Sequence, residues 1–229
     1  METIRERIGR LSLLRGRQMQ FTPDISTEEV KINYKNFKRR ISVYKRKGLD
    51  LIKSREFMLN KAKPLRGSIL EIGTGSGYAT IVLARAGSKF ISVDKDEEAL
   101  KKTALKLAYE KILDNVKFYL MDGSSLAFNN ESFDNVFVID LFHHINDINK
   151  MLSEIDRVLC RDGKAILADF NKRGMKIVDC VHKEEGHIHE DSGVSRDFVY
   201  SYFKDLGYGI KSYDEKCHWL LIINKLQSK

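Results

Sequence analysis

Five short apolar runs recur from residue 67 onward, "SILEIG", "KFISVD", "VKFYLM", "NVFVID" and "KAILAD", each separated from the next by a segment long enough for a crossover. Runs without polar alternation read as strands buried on both faces, and strands joined by crossovers run parallel. Two of the connecting segments have helical period. In "DEEALKKTALKLAYEKI", Leu100, Ala104, Leu107, Ala108 and Ile112 share a face and Asp96 stands as N-cap. In "INDINKMLSEIDRVLCRDG", Ile148, Met151, Leu152, Ile155 and Leu159 share one, and Gly163 is the expected stop. The tail "YGIKSYDEKCHWLLIINK" differs, since its two strand-like runs lie almost adjacent around "DEK", a spacing that permits a hairpin but no helical crossover. The expected fold is therefore an open α/β domain with a mostly parallel sheet that finishes in an antiparallel pair.

Charge divides the chain at the same point where the apolar runs begin. Residues 1–66 hold 18 Lys and Arg against 7 Asp and Glu, a balance of +11, whereas the remainder holds 22 against 25, a balance of −3. Pro64 and Gly67 mark the break, so the expected organisation is a basic helical N-terminal cap over 1–66 and an α/β domain over 67–229. Within the cap, Phe37, Ile41, Val43, Tyr44, Leu49 and Leu51 stand among lysines and arginines, as in helices that pack one side onto a body. The first residues are charged throughout and no apolar run approaches membrane-spanning length. Three scattered cysteines, Cys160, Cys180 and Cys217, argue against a disulfide framework. Together these point to an intracellular, cytoplasmic location.

The first apolar run ends in "GTGSG", with Gly73, Gly75 and Gly77 on alternate positions ahead of an expected helix. Positions without a side chain let a ligand lie against the backbone, and a helix N-terminus adds unpaired N–H groups. In an open parallel sheet such a turn faces the crevice where ligands collect. The spacing is not the G-x-G-x-x-G of dinucleotide sites, and Glu71 precedes it, an acid that disfavours a pyrophosphate and suits a cationic ligand.

These residues resemble the class I S-adenosylmethionine-dependent methyltransferases, in particular the small-molecule branch that includes ubiquinone and menaquinone methyltransferases; the resemblance runs from about Pro64 to the C-terminus. It implies a seven-stranded Rossmann-like sheet with helices on both faces. "LEIGTGSG" is similar to the family's first motif, which implies that Glu71, Gly73, Thr74, Gly75 and Gly77 hold the methionine part of the cofactor. Asp94, ending "FISVD", matches the acid that binds the ribose hydroxyls. Asp122 and Gly123, in "LMDGSSL", match the pair beside the adenine. "ESFDNVFVIDLFHHI" resembles the segment lining the cofactor and acceptor pocket, which brings in Asp140 for the cofactor and His143, beside His144, as the candidate catalytic group.

The resemblance implies a transferase acting on a small metabolite, an anionic one in view of the basic cap. Two alternatives stand beside it: an RNA or protein methyltransferase that uses the basic helices, and a module that binds the cofactor without turnover. "DLFH" lacks the Asn or Asp followed by Pro-Pro and an aromatic that amino-methylating enzymes use on a flipped base, which places nucleic acid second. Two metal arrangements are weighed against a reading without metal: Cys180, His182, His187 and His189 as zinc-type ligands, and Asp140, Asp169 and Asn171 as a hard-cation set.

Overall fold

A computed structural model describes residues 20–186 and 193–225. Among them an eight-stranded sheet forms in the order β1 (Gln20–Phe21), β4 (Val116–Leu120), β3 (Phe90–Asp94), β2 (Ile69–Ile72), β5 (Phe133–Ile139), β6 (Leu159–Phe170), β8 (His218–Asn224) and β7 (Gly209–Asp214). The five runs legible in the sequence are the parallel strands β2 to β6, and the tail is the antiparallel β7–β8 hairpin. The strand added to the expected seven is β1, two residues of the N-terminal segment paired antiparallel to β4 at the sheet edge.

Alternation along the parallel strands feeds two cores. Leu70, Ile72, Val136, Val138, Ala165 and Leu167 face α5 (Ile148–Val158) and α7 (Arg196–Asp205). Ile69, Phe137, Ile166 and Ala168 face the layer made by α1 (Thr27–Arg46), α2 (Leu51–Ala62), α3 (Tyr78–Arg85) and α4 (Glu97–Tyr109). Helix α4 starts at Asp96, whose carboxylate accepts from Glu98 N at 2.9 Å, and it buries Leu100, Ala104 and Leu107. Helix α5 buries Met151, Leu152 and Ile155 but ends at Val158, so Leu159 opens the next strand and Gly163 lies inside β6. The expected stop is thus displaced: β6 takes over as soon as the helix ends, with Phe133 and Leu159 in register.

A third, smaller cluster roofs the carboxyl ends of the strands. It joins Tyr44, at the end of α1, with Leu49, Leu51 and Cys217, and with Val178 and Val181 from α6 (Lys172–Glu184). Arg40 pairs with Glu185 at 3.0 Å and Lys47 with Glu184 at 2.6 Å, which ties α1 to the end of α6. Phe37, Tyr44, Leu49 and Leu51 are buried as the periodicity predicts.

Candidate functional site

Strand order reverses between β2 and β5, and a cavity of about 500 Å³ opens at their carboxyl ends, within the size range of small-molecule sites. Its first half is built from contiguous sequence. Gly73, Gly75 and Gly77 all have positive φ (86°, 47° and 71°), a conformation that side chains other than glycine's rarely accept. At Gly77, the left-handed N-cap of α3, a Cβ would stand 2.5 Å from Thr103 Oγ1, so packing also demands glycine. At Gly75 nothing lies within 4 Å of a built Cβ, leaving the backbone bare to the cavity.

Asp94 closes this half from the tip of β3. Its Oδ2 accepts from Gly75 N at 2.8 Å and its Oδ1 from Asp96 N at 3.0 Å. Each oxygen keeps a further lone pair, so the carboxylate is fixed in place and can still accept from a pair of hydroxyls. Thr74 lines the same wall, its hydroxyl 2.6 Å from Ser92 Oγ.

Glu71 does not line the cavity. Odd positions of β2 face the α1–α4 layer, so its side chain turns sideways beneath the turn, where Thr80 Oγ1 (2.8 Å) and Ser92 Oγ (2.6 Å) donate to Oε2. Burial raises its carboxyl to about 7, against the pull of these two hydroxyls. Asp122 and Gly123 also lie outside the lining, though next in the row of strand tips: Met121 N donates to Asp94 O at 2.8 Å, and a Cβ on Gly123 would stand 2.5 Å from Ile72 Cγ2. Hydrogen bonds from the Ser124 N–H and hydroxyl hold the Asp122 carboxyl below its ordinary value.

The opposite half is assembled from segments far apart in the chain. Arg40, Tyr44 and Arg55 descend from α1 and α2, Tyr78 begins α3, His143 follows β5, Phe170 ends β6 and His182 comes from α6. Arg55 is 2% exposed and forms an ion pair with Asp140, between the rings of Tyr78 and Phe170 at 5.8 and 5.9 Å. Burial pulls its guanidinium down to about 10, which leaves it charged at neutral pH. Asp140, with φ 56°, also has His218 Nε2 3.2 Å from its Oδ1; burial and the neighbouring Arg55 charge lower His218 to about 4, so that imidazole is neutral. Asp140 therefore lines the cavity with its carboxylate turned to Arg55 and His218. Burial pushes the Tyr78 hydroxyl up to about 12, keeping it a donor.

His143 is buried at the cavity wall, its Nδ1 2.7 Å from Asp169 Oδ1, while its backbone N–H donates to Asp169 Oδ2 at 3.0 Å. Both oxygens of one carboxylate thus fix the ring and the backbone that carries it, and neighbouring β5 and β6 tips supply the pair. The His144 ring lies 4.0 Å from that of His143, tilted by 50°.

The hard-cation set does not come together: Asp140 is paired with Arg55, Asp169 with His143, and Asn171 caps α6 through Arg173 N and Gly174 N. Of the zinc-type set, Cys180 contacts Lys47 Nζ at 3.4 Å and His182 contacts Arg40 at 3.2 Å, while His187 and His189 lie outside the described residues. Among the described residues no group of three or more His, Cys, Asp or Glu is arranged to hold a metal. Nor is any described helix long and apolar enough to cross a membrane.

Arg40, Arg55, Tyr78 and Phe170 are among the lining residues that the sequence reading passed over. One signal was available for Arg55. It stands four residues after Leu51 and three before Met58, on the stripe that α2 buries.

A methyltransferase-domain family model matches residues 70–167. An uncharacterized methyltransferase, YcgJ of Bacillus subtilis, is 34% identical over 101 residues, 44% of this chain and 40% of that protein. The ubiquinone/menaquinone biosynthesis C-methyltransferase UbiE of Rickettsia prowazekii is 30% identical over 131 residues, 55% of this chain and 52% of that protein. The chain thus spans about half the length of these curated relatives or less. A crystal structure of a SAM-dependent methyltransferase from Aquifex aeolicus superposes with TM-score 0.63 at 18% identity, over 84% of this chain and 98% of that one, a likeness of fold.

Proposed function

We propose that the chain carries a class I S-adenosylmethionine-dependent methyltransferase domain and methylates a small, anionic metabolite, a reading supported by the methyltransferase-domain match over residues 70–167 and by the methyltransferase relatives. When bound, S-adenosylmethionine supplies a methyl group on a sulfonium: the acceptor's lone pair forms the new bond in line as the carbon–sulfur bond breaks and its electrons stay on sulfur. The chain's own contribution is to hold and orient. The bare backbone at Gly73, Gly75 and Gly77, with Thr74 beside it, receives the methionine part, and the fixed carboxylate of Asp94 accepts from the ribose hydroxyls. Asp122 and Gly123, next along the strand tips, flank the adenine. Glu71 supports this half from below, as a buried acid under the turn.

The observation that carries the acceptor reading is the second half of the cavity, where two arginines and the aromatic rings of Tyr44, Tyr78 and Phe170 stand under a roof of α1, α2 and α6. A roofed cavity of about 500 Å³ shared between cofactor and acceptor fits a small molecule and excludes water during transfer. Residues 1–66 act in this reading as the cap and 67–229 as the cofactor-binding domain. His143, its ring fixed by Asp169, takes a proton from the acceptor at the nitrogen opposite the one Asp169 holds.

The deciding experiment is transfer of labelled methyl from S-adenosylmethionine to a panel of anionic small molecules. Tight cofactor binding with no transfer to any acceptor would favour the binding-module alternative, and transfer to RNA or protein alone would overturn the small-molecule reading. With an acceptor in hand, His143→Ala lowers turnover by about two orders of magnitude while cofactor affinity is unaltered. Unchanged turnover returns His143 to packing.

A further inference from the structure

The outward face of α1 is a stripe of unanswered positive charge. Phe37 and Tyr44 mark the side that the body buries; at 3.6 residues per turn Lys31, Lys35, Arg39, Ser42 and Arg46 stand opposite them, every one exposed. Lys31, Lys35, Arg39 and Arg46 make no ion pair among the described residues. On the flank, Lys45 pairs with Asp50 at 3.2 Å and Lys38 acts through its charge on Glu110. The stripe's one acid, Glu28, stands in the first turn.

Several exposed cations on other helices have acids beside them. Lys102 meets Glu98 at 3.3 Å, Arg85 meets Glu110 at 2.6 Å and Arg196 meets Asp214 at 2.9 Å. On α1, by contrast, Lys31, Lys35 and Arg39 follow one another four residues apart, and like charges one turn apart oppose the helix that carries them. Such an arrangement, without a partner inside the chain, is complementary to a polyanion outside it.

The kind of polyanion follows from how α1 is set. An anionic membrane takes a helix whose apolar side faces the lipid, and the apolar side of α1 is packed on the body. A single nucleic-acid strand is held by stacking on aromatic rings, and the stripe has none. A helix that reads DNA projects into the major groove, whereas α1 lies between neighbours: Tyr34 stacks on Tyr109 of α4 at 3.8 Å, and Arg40 and Lys47 pair with the end of α6. What α1 offers is a flush basic face, roughly 22 Å long at about 1.5 Å per residue, suited to the wide, shallow minor groove of an RNA duplex and the phosphates beside it. Ser42 places a hydroxyl among the cations, of the kind that meets a 2′-OH.

We propose that the outward face of α1 docks double-stranded RNA through its phosphate backbone, without reading sequence. Arg40 and Tyr44, on the inward side of the same helix, line the main cavity, so the docked duplex lies outside the cap and is not the methyl acceptor.

The inference goes beyond the methyl-transfer reading and is tested without it. A fluorescein-labelled RNA duplex of about 20 base pairs and arbitrary sequence is titrated with the full chain, by anisotropy, at salt from about 50 to 200 mM. The expected result is saturable binding that weakens steeply with salt. Lys35→Glu with Arg39→Glu raises Kd by about tenfold or more and lowers the slope of log Kd against log salt by about two. Lys204→Glu with Lys211→Glu, at exposed positions of α7 and β7, makes the same change in net charge and leaves both quantities unaltered. Lys35→Gln with Arg39→Gln, which adds no negative charge to the helix, weakens binding in the same direction, and S-adenosylmethionine affinity is the same in all these proteins. Equal losses in the two glutamate pairs would mean diffuse attraction to a basic chain and overturn the proposal. Absence of saturable binding overturns it too, as does binding to a DNA duplex of the same sequence, to phosphatidylserine vesicles or to polyglutamate that matches the RNA.

Discussion

The two halves of the main cavity are made in opposite ways. The half proposed for the cofactor comes from consecutive turns at the tips of β2 and β3, with Gly75 N donating to Asp94 across only 19 residues. The half proposed for the acceptor draws Arg55 from α2, Asp140 and His143 from the segment after β5, Asp169 from β6 and His218 from β8, and its ion pairs cross as many as 85 positions, from Arg55 to Asp140. Local geometry makes the first half robust. Buried charge makes the second half specific and fragile, because each ion there depends on a partner from another part of the chain.

Arg55→Met tests that fragility with the largest expected effect. It leaves the Asp140 carboxylate without its cation, and unfolding in denaturant loses about 3–5 kcal/mol. The double variant with Asp140→Asn recovers part of the loss, whereas an unchanged midpoint in the single variant would erase the contrast between the halves.

The next effect lies beneath the cofactor half and appears as pH dependence. The folded-state pKa of Glu71 is raised from 4.5 to about 7, so the folded chain binds more protons than the unfolded chain in that window, and stability falls as pH rises through it. Its contribution is roughly 3 kcal/mol across the window, at about 1.4 kcal/mol per unit. Glu71→Gln flattens that slope between pH 4.5 and 7 in melts at constant salt; an identical slope in both proteins would mean the acid is better hydrated than its burial implies.

Asp94→Ala follows. It removes the proposed ribose contact and one anchor of the turn, and S-adenosylmethionine affinity measured by calorimetry drops by about ten- to a hundredfold. Unchanged affinity would detach this half from the cofactor. The smallest effect belongs to the outer attachment of the cap, where Lys101 and Glu29 meet at 3.0 Å with both side chains well exposed. Lys101→Ala leaves the melting midpoint where it was, since exposed pairs are screened and flexible. A clear drop would show that α1 is held by its rim rather than by Phe37 and Tyr44.

Much of the first half was readable before any coordinates, because its signals are short in range. Alternation and length set the five parallel strands, Asp96 opened α4, and three alternating glycines announced a bare turn ahead of a helix. The same reading misplaced Glu71, since it treated a residue near the strand end as facing the ligand when its odd position sends it into the α1–α4 layer. It also took Gly163 as a helix stop, when pairing with β5 ended the helix sooner.

The second half was largely illegible. His143 could be named, but its partner Asp169 is 26 residues away and meets it only because β5 and β6 lie side by side. Arg55 resembled one more lysine or arginine of a basic helix until α2 turned it inward between two rings.

The sequence by itself determined the order of elements, the faces they bury and the bare turn at the strand tips, because propensity, periodicity and glycine's freedom act between near neighbours. Only the tertiary structure decided which charges meet. A buried ion's partner is chosen by packing across the whole sheet and its roof, and no spacing along the chain encodes that distance.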